Sequence, residues 1–379
     1  MITIDIEQAF NTRKDFFLSD FVKHIEYVAL DSKKPLDEAL VVYSNDNYLI
    51  CMAFEQIYLF DRQSGAFIRE IGTVGRGPGE YKNIIYFDSE TKRIIASIFG
   101  LNFIEYDLDG KMTRTIIKPR KSSIQIEDSG FDAFLDNNWL LDAFLFLDNN
   151  TLVYHNANFN GNAKDLLLIA DEHGTVLKIY HNHYSFERIP NQITIINYRP
   201  LLYYCGGNIL FYENCIDTIY RVTRDTLIPH FRLEMGKYKA PYEKRNDLPA
   251  LGKYFLFKDM GETNRFLLFD FSHQTNPSGT STDSFFGYYD KKNKKVKISD
   301  ADGKQRHIIN DIDHFGAIQF TRWTINPEKN ELISYIEAID IIEWFEQNPQ
   351  QAKELPEHLQ KLAALKPYDN PVVVIATLK

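Results

Sequence analysis

Short runs in which apolar and polar residues alternate recur along this chain, and turn-forming residues separate them. Such alternation is typical of strands that bury one face. Residues 57–61 precede the turn Ser64-Gly65, residues 103–107 precede Asp109-Gly110, and a further strand follows each turn. The pattern predicts a four-stranded antiparallel unit that is repeated along the chain.

Six copies of this unit can be placed on the sequence. They cover residues 40–71, residues 84–117, a stretch around the turn at 148–150 that ends at 180, and residues 201–233, 254–299 and 318–378. Four-stranded repeats at this spacing are typical of a β-propeller. We therefore expect one all-β domain over residues 1–379, a six-bladed β-propeller with four-stranded blades.

The last copy departs from the pattern. Residues 337–365 carry apolar residues at helical spacing, and we expect this helical insertion to cover one face of the propeller with Ile339, Ile342 and Leu362 inward. Only one strand, residues 372–378, follows it, so this blade has three strands of its own. We expect the lone N-terminal strand, residues 22–30, to complete the blade and close the ring, because closure removes a free edge.

Composition narrows the possible function classes. Aromatic residues make up 14% of the 379 residues and the net charge is −9. Aromatic residues favour sheet, and the negative charge argues against nucleic acid as a partner, since phosphates need clustered Lys and Arg. No apolar run approaches the roughly 18 residues of a membrane helix, and the first residues show no signal-peptide pattern.

The three cysteines, Cys51, Cys205 and Cys215, form no CxxC pair. We therefore expect neither a zinc site nor a redox dithiol. A bridge between Cys205 and Cys215 is not expected either, because the predicted hairpin carries Cys215 well past the turn.

Several motifs have both a chemical and a structural interpretation. Four aspartates end a third strand before a turn, namely Asp61, Asp107, Asp171 and Asp290. They belong to four different blades, so we expect them to accept hydrogen bonds from turn amides and not to share a metal. His181 and His183 would lie on one face of a strand, which suits a metal, but no third ligand is identifiable.

Two further stretches, beginning at Asp107 and Asp300, open like calcium loops but lack the glutamate at the twelfth position. We therefore expect both to be hairpin turns. No sequence motif of a hydrolase, a kinase, a metalloprotease or a nucleophilic cysteine occurs. We expect no catalytic residues, no metal and no cofactor.

Residues 72–81, GTVGRGPGEY, suit a tight crossing between strands, because glycine and proline disfavour a helix interior or a central strand. This stretch resembles the crossing between blades in NHL-type propellers. The whole chain, with ITID at 2–5, HIEYV at 24–28 and DNPVVVI at 369–375, is similar to six-bladed NHL- and TolB-like propellers of Gram-negative gut anaerobes, mostly uncharacterised lipoproteins. The resemblance implies an extracytoplasmic protein, periplasmic or anchored to the outer membrane, whose signal segment is absent from this sequence.

In NHL-like propellers the crossing reaches the mouth of the central channel. The resemblance therefore implies that Arg76, Glu80 and Tyr81 lie there and bind a ligand. A guanidinium offers a planar fork to a carboxylate or phosphate. The alternative is that Arg76 pairs with Glu80, or with carbonyls of a neighbouring blade, and only fixes the loop.

Two functions are compatible with these features. The first is a non-catalytic, monomeric binding module for a glycan, a peptide or a protein partner, which the many aromatic residues and the lack of catalytic motifs favour. The second is a lactonase- or lyase-like enzyme with a divalent metal in the central channel.

Overall fold

The computed structural model describes residues 1–36, 41–53, 56–88, 92–98, 102–121, 138–159, 161–187, 200–245, 247–274, 283–302, 305–320 and 322–379. Two compact units divide the chain. Unit 1 comprises Met1–Lys14 and Ile117–His307, and unit 2 comprises Asp15–Ile116 and Ile308–Lys379.

Strands dominate the described residues. In chain order they are β1 (Ile2–Asp5), β2 (Phe16–Phe17), β3 (Val22–Ala29), β4 (Val41–Ser44), β5 (Tyr48–Met52), β6 (Ile57–Asp61), β7 (Phe67–Ile71), β8 (Asn83–Asp88), β9 (Arg93–Ile98), β10 (Asn102–Tyr106), β11 (Met112–Ile117), β12 (Leu141–Asp148), β13 (Thr151–Asn156), β14 (Asp165–Asp171), β15 (Val176–His181), β16 (Leu201–Cys205), β17 (Asn208–Tyr212), β18 (Thr218–Val222), β19 (Leu227–Glu234), β20 (Leu256–Glu262), β21 (Phe266–His273), β22 (Asp283–Asp290), β23 (Lys295–Ile298), β24 (Asp300–Asp302), β25 (Gln305–Ile309), β26 (Trp323–Asn326), β27 (Glu331–Ile336) and β28 (Val372–Leu378).

Helices are few and short among the described residues. They are α1 (Ile6–Asn11), α2 (Leu248–Leu251), α3 (Ala338–Gln347), α4 (Gln351–Glu354) and α5 (Glu357–Gln360), with 3-10 turns at Leu18–Asp20, Gly236–Tyr238, Tyr242–Lys244 and Lys361–Ala364. None of the described helices is long and apolar enough to cross a membrane.

Three four-stranded meanders belong to unit 1, in the orders β12-β13-β14-β15, β16-β17-β18-β19 and β20-β21-β22-β23. The second of them gains a fifth strand, because β1 pairs in parallel with β19. Helix α1 follows β1, and its Phe10 packs edge-on against Phe255 and Phe285, 4.7 and 5.1 Å between ring centroids. The aromatic side chains that the sequence supplies in excess thus form much of this core.

Three further four-stranded sheets belong to unit 2, in the orders β4-β5-β6-β7, β8-β9-β10-β11 and β26-β27-β28-β3. Buried apolar side chains fill the spaces between neighbouring sheets. One cluster joins Val42 and Phe60 of the first sheet to Val373 and Ile375 of the last. Each sheet therefore packs face to face with the next, as propeller blades do.

A seventh sheet corrects the prediction of six blades. The described strands form seven sheets, because β24 and β25 form a hairpin and β2 adds to β25 in parallel. The β-propeller therefore has seven blades, one of them small. The sequence predicts only a turn over residues 300–303, since Asp300-Ala301-Asp302 shows no apolar alternation that would predict a strand.

A buried ion pair in unit 1 holds this small sheet in place. Arg306, on β25, contacts the carboxylate of Asp270 on β21, and both side chains are 2% exposed. Ser284 Oγ lies 3.4 Å from Arg306 Nη2. Burial raises the pKa of the Asp270 carboxyl above its usual value although Arg306 opposes the shift. This long-range contact, and not a local strand propensity, fixes the seventh sheet.

Strand β3, in unit 2, lies where the sequence predicted it. Strand β3 pairs antiparallel with β28, in a register that runs from Ala29 opposite Val372 to Val22 opposite Leu378. Val22, Ile25 and Val28 face the core and are at most 7% exposed. The pairing covers the edge that β28 would otherwise present.

The turn role of the four aspartates is confirmed. Asp61 Oδ1 accepts hydrogen bonds from the backbone N–H of Gln63 and Ser64 at 3.1 and 2.8 Å. The same arrangement, with two amides bonded to one carboxylate oxygen, occurs at Asp107, Asp171 and Asp290. These carboxylates stabilise hairpins, as Asp at turns commonly does.

The helical segment after β27 is present, but its predicted inner face is wrong in part. Leu362 is buried and Ile342 is half-buried, whereas Ile339 is 42% exposed. Ala338 and Ile341 of α3 are buried instead. The buried face of α3 therefore begins one residue earlier than predicted. Helical spacing alone does not determine which of two adjacent faces packs inward.

Candidate functional site

The glycine-rich crossing in unit 2 places Arg76, Glu80 and Tyr81 in different environments. Tyr81 is fully buried, and its hydroxyl donates to the carbonyl of Ile71 at 3.1 Å. Burial raises its pKa. Glu80 Oε2 accepts the backbone N–H of Gly77 at 2.6 Å. The Arg76 side chain is exposed.

The crossing is folded around two tyrosine rings. Gly72 has φ of 65°, and a Cβ at this position would lie 2.8 Å from Tyr81 Cε1 and 2.9 Å from Tyr106 Cζ. Only glycine suits such a close approach with positive φ. Tyr81 and Glu80 thus help to shape the crossing, and a ligand-binding role for Arg76, Glu80 and Tyr81 stays a prediction.

A polar cleft of about 210 Å³ lies in unit 1 at one end of the sheet β12–β15. Trp139 precedes β12, Asn156 ends β13 and Asp165 begins β14. Because neighbouring strands are antiparallel, these three positions meet at the same end of the sheet. Lys121 and Phe159 also line the cleft.

Asp165 is the charged centre of this cleft. Its side chain is 10% exposed, and its Oδ2 accepts the indole N–H of Trp139 at 2.8 Å. Lys121 Nζ lies 3.8 Å from the same oxygen. His181 Nδ1 lies 3.4 Å from Oδ1. The carboxylate therefore fixes the orientation of the indole at the cleft wall.

Asn156 holds the strand ends beneath the cleft. Its Nδ2 donates to the carbonyl of Asp165 at 2.9 Å, and its Oδ1 accepts the N–H of Leu140 at 2.8 Å. The oxygen and the nitrogen of this buried side-chain amide therefore both have hydrogen-bond partners, as buried polar groups require. The cleft thus rests on a rigid scaffold.

A second cavity in unit 1, a groove of about 620 Å³, is lined by residues 183–185 after β15 and by residues 239–243 after β19. Tyr184 and Tyr242 stack in it, with ring centroids 4.9 Å apart and planes 26° apart. Tyr242 is buried and Tyr184 is 41% exposed. Burial raises the pKa of Tyr242 to about 12, and Glu213 adds to the shift.

A buried ion pair lies beside the groove. Glu213 Oε1 lies 2.7 Å from Arg245 Nη1 and 3.8 Å from His155 Nε2. The Arg245 guanidinium carbon is 5.4 Å from the centroid of the Tyr242 ring. Burial by itself would raise the pKa of Glu213, but Arg245 and His155 outweigh it, so the pKa is lowered.

This lowered pKa predicts an acid-sensitive contribution to stability. A carboxyl group whose pKa is lower in the folded protein than in the unfolded chain, where it is about 4.3, stabilises the fold at pH values above about 4.3. This stabilisation is lost as the pH falls through the pKa of the folded protein. We expect Glu213→Gln to lower the free energy of unfolding by about 3–5 kcal/mol at pH 7, because it leaves Arg245 buried without its carboxylate. Urea unfolding between pH 3 and 7 measures this.

The difference between the wild type and Glu213→Gln should shrink as the pH falls below about 4. Glu346→Gln, at an exposed position on α3, is the matched control and should behave like the wild type. A difference that is constant from pH 7 to 3 would contradict the assignment.

The two histidines that the sequence suggested as a metal pair contact different cavities. His181 lies beside Asp165 of the cleft, and His183 lines the groove. Among the described residues, no group of three or more His, Cys, Asp or Glu is placed to hold a metal ion.

Sequence reasoning missed the residues of the cleft and the groove. A usable signal was present in the stretch HNANFNGN, residues 155–162, where asparagine occupies every second position. Asparagines on one face of a strand end are suited to bond to neighbouring backbone groups. Trp139 carried no local signal, because its partner Asp165 is distant in sequence.

The fold defines the class of protein, an all-β β-propeller. The chain belongs to the family described as Domain of unknown function (DUF4934), whose model matches residues 1–377. No curated protein matches the sequence.

Solved structures with this fold include two from Bacteroides species. The crystal structure of a "Putative exported protein" from Bacteroides fragilis NCTC 9343 has a TM-score of 0.69 at 15% identity, over 100% of this chain and 99% of that chain. A member of the DUF4221 family from Bacteroides vulgatus ATCC 8482 has a TM-score of 0.55 at 10% identity, over 94% and 97%. The narrower relation to NHL- and TolB-like propellers stays a prediction.

Proposed function

We propose that this protein is a non-catalytic binding protein whose ligand is a carbohydrate, and that the cleft beside Trp139 is its binding site. The observation that carries the proposal is the indole of Trp139, which Asp165 fixes through a 2.8 Å hydrogen bond at the wall of a polar cleft. Sugar rings present one face of C–H groups and a rim of hydroxyls. An aromatic ring packs against the C–H face, and carboxylate and amide groups form hydrogen bonds with the hydroxyls.

The size of the cleft supports a single ring. Typical small-molecule pockets enclose roughly 300–1,000 Å³, whereas this cleft encloses about 210 Å³. Lys121, on the cleft wall, and Asp165 offer a donor and an acceptor. Such a mixture suits a neutral polyol better than a strongly charged ligand, because the two charges compensate each other.

We further propose that the protein acts outside the cytoplasm, as a periplasmic protein or an outer-membrane lipoprotein. The similarity to a protein named as an exported one supports this placement. Digestion with an added protease of intact cells, of cells whose outer membrane alone is permeabilised, and of lysed cells tests it, since a cytoplasmic protein would be protected until the inner membrane is also broken.

Binding to a printed panel of plant, bacterial and host glycans tests the function. We expect the wild type to bind at least one class of glycan and Trp139→Ala to lower that affinity by tenfold or more, because stacking on an aromatic ring and its buried area are lost together. Tyr368→Ala is the control, since Tyr368 is 95% exposed in unit 2.

Thermal unfolding of both variants checks that the fold is intact. The proposal is wrong if no glycan binds to the wild type. It is equally wrong if Trp139→Ala, with its fold intact, binds the same glycan with the affinity of the wild type.

A further inference from the structure

We propose that the ligand is an extended oligosaccharide that occupies the Trp139 cleft and the tyrosine groove together, one ring in the cleft and further rings in the groove. This inference rests on the proposed function. The tyrosine groove is the cavity of about 620 Å³ that contains Tyr184 and Tyr242.

The two cavities share one structural connection. Asn158, in the loop between β13 and β14, accepts the N–H of Ala163 at 3.1 Å on the cleft side. Its Nδ2 donates to the hydroxyl of Tyr242 in the groove at 3.3 Å. Asn158 is 3% exposed, so this amide is a fixed bridge between the walls of the cleft and the groove.

The chain makes a second connection between them. His181, at the end of β15, contacts Asp165 of the cleft, and Tyr184, three residues later, lines the groove. The Tyr184 N–H donates to Asn182 Oδ1 at 2.9 Å. A ligand that follows this short stretch would pass from one cavity into the other.

The groove also has the chemistry of a sugar subsite. The exposed Tyr184 ring stacks on the buried Tyr242 ring, which limits its freedom and presents an aromatic surface. Lys239 and Glu243 line the same groove and offer a donor and an acceptor for hydroxyls. Its volume lies within the range of typical ligand pockets, so it can hold more than one ring.

The experiment measures affinity against chain length. Cello-, xylo-, manno-, malto- and chito-oligosaccharides of one to six units are titrated into the wild type, Trp139→Ala, Tyr184→Ala and the Tyr368→Ala control by calorimetry. In the series that binds, we expect the affinity to rise with length. Tyr184→Ala should weaken hexamer binding about tenfold and change monomer binding less than twofold. Trp139→Ala should weaken both.

The outcomes separate this inference from the function itself. If binding depends on Trp139 but is independent of length, or if Tyr184→Ala binds the hexamer as the wild type does, the extended ligand is wrong and the carbohydrate function stands. If Trp139→Ala, with its fold intact, leaves all binding unchanged, both are overturned. If no series binds to the wild type, the extended ligand is wrong, and the glycan panel decides the function. Circular dichroism of Tyr184→Ala confirms that a loss of binding is not a loss of fold.

Discussion

Removal of residues 1–30 is expected to unfold the sheet β26-β27-β28-β3 and to give a protein that aggregates. The deletion removes β3 and leaves β28 with a free edge, which is a template for pairing with other chains. Among the buried side chains that it removes are three of β3, Val22, Ile25 and Val28. At roughly 1.5–3 kcal/mol each, their loss amounts to about 5–9 kcal/mol, comparable with the whole stability of a typical domain.

Two point variants make this test sharper, because the deletion also removes β1 from unit 1. Ile25→Asp places a charge at a buried position of β3, and Lys23→Asp places the same charge at an exposed position. We expect the first to lower the melting temperature strongly and the second to change it little. A monomeric truncated protein that melts at the wild-type temperature would show that β3 is dispensable.

Arg306→Met is expected to lower the free energy of unfolding by about 3–5 kcal/mol, because it leaves Asp270 buried without its cation. Urea unfolding measures the loss. Lys33→Met is the matched control. Its lysine pairs with Asp31 while 81% exposed, and exposed pairs contribute only about 0–1 kcal/mol.

The double variant Asp270→Leu, Arg306→Met should recover most of the loss. A buried pair often contributes no more than well-packed apolar groups, and the raised pKa of Asp270 indicates that burial outweighs the attraction. A single variant that costs less than 1 kcal/mol would show that Arg306 does not hold the seventh sheet.

The four-stranded repeats could be predicted from sequence because each one has its own local signals. Alternating residues define β6, an aspartate and a glycine define the turn after it, and the same signals return at β10 and β14. The prediction that β3 completes the last four-stranded sheet followed from the number of strands, because that blade has only three strands of its own and one strand near the N-terminus has no hairpin partner.

The seventh sheet and the candidate site depend on contacts that no local pattern reports. Arg306 is fixed by Asp270 and Trp139 by Asp165, and each partner lies on another part of the chain. A third miss was local. The residues Asp259-Met260-Gly261 favour a turn in the sequence, but β20 continues through them to Glu262, and Gly261 pairs with Leu268. Here pairing with β21 overrides the turn preference of Asp and Gly.

The pairing of β3 with β28 also determines when this protein can finish folding. Strand β3 ends at Ala29 and β28 begins at Val372, so more than 340 residues are synthesised between the two strands. Strand β3 must therefore wait, with its edge unpaired, until β28 has been synthesised. Contacts so distant in sequence are associated with slow folding and with a long exposure of unpaired edges.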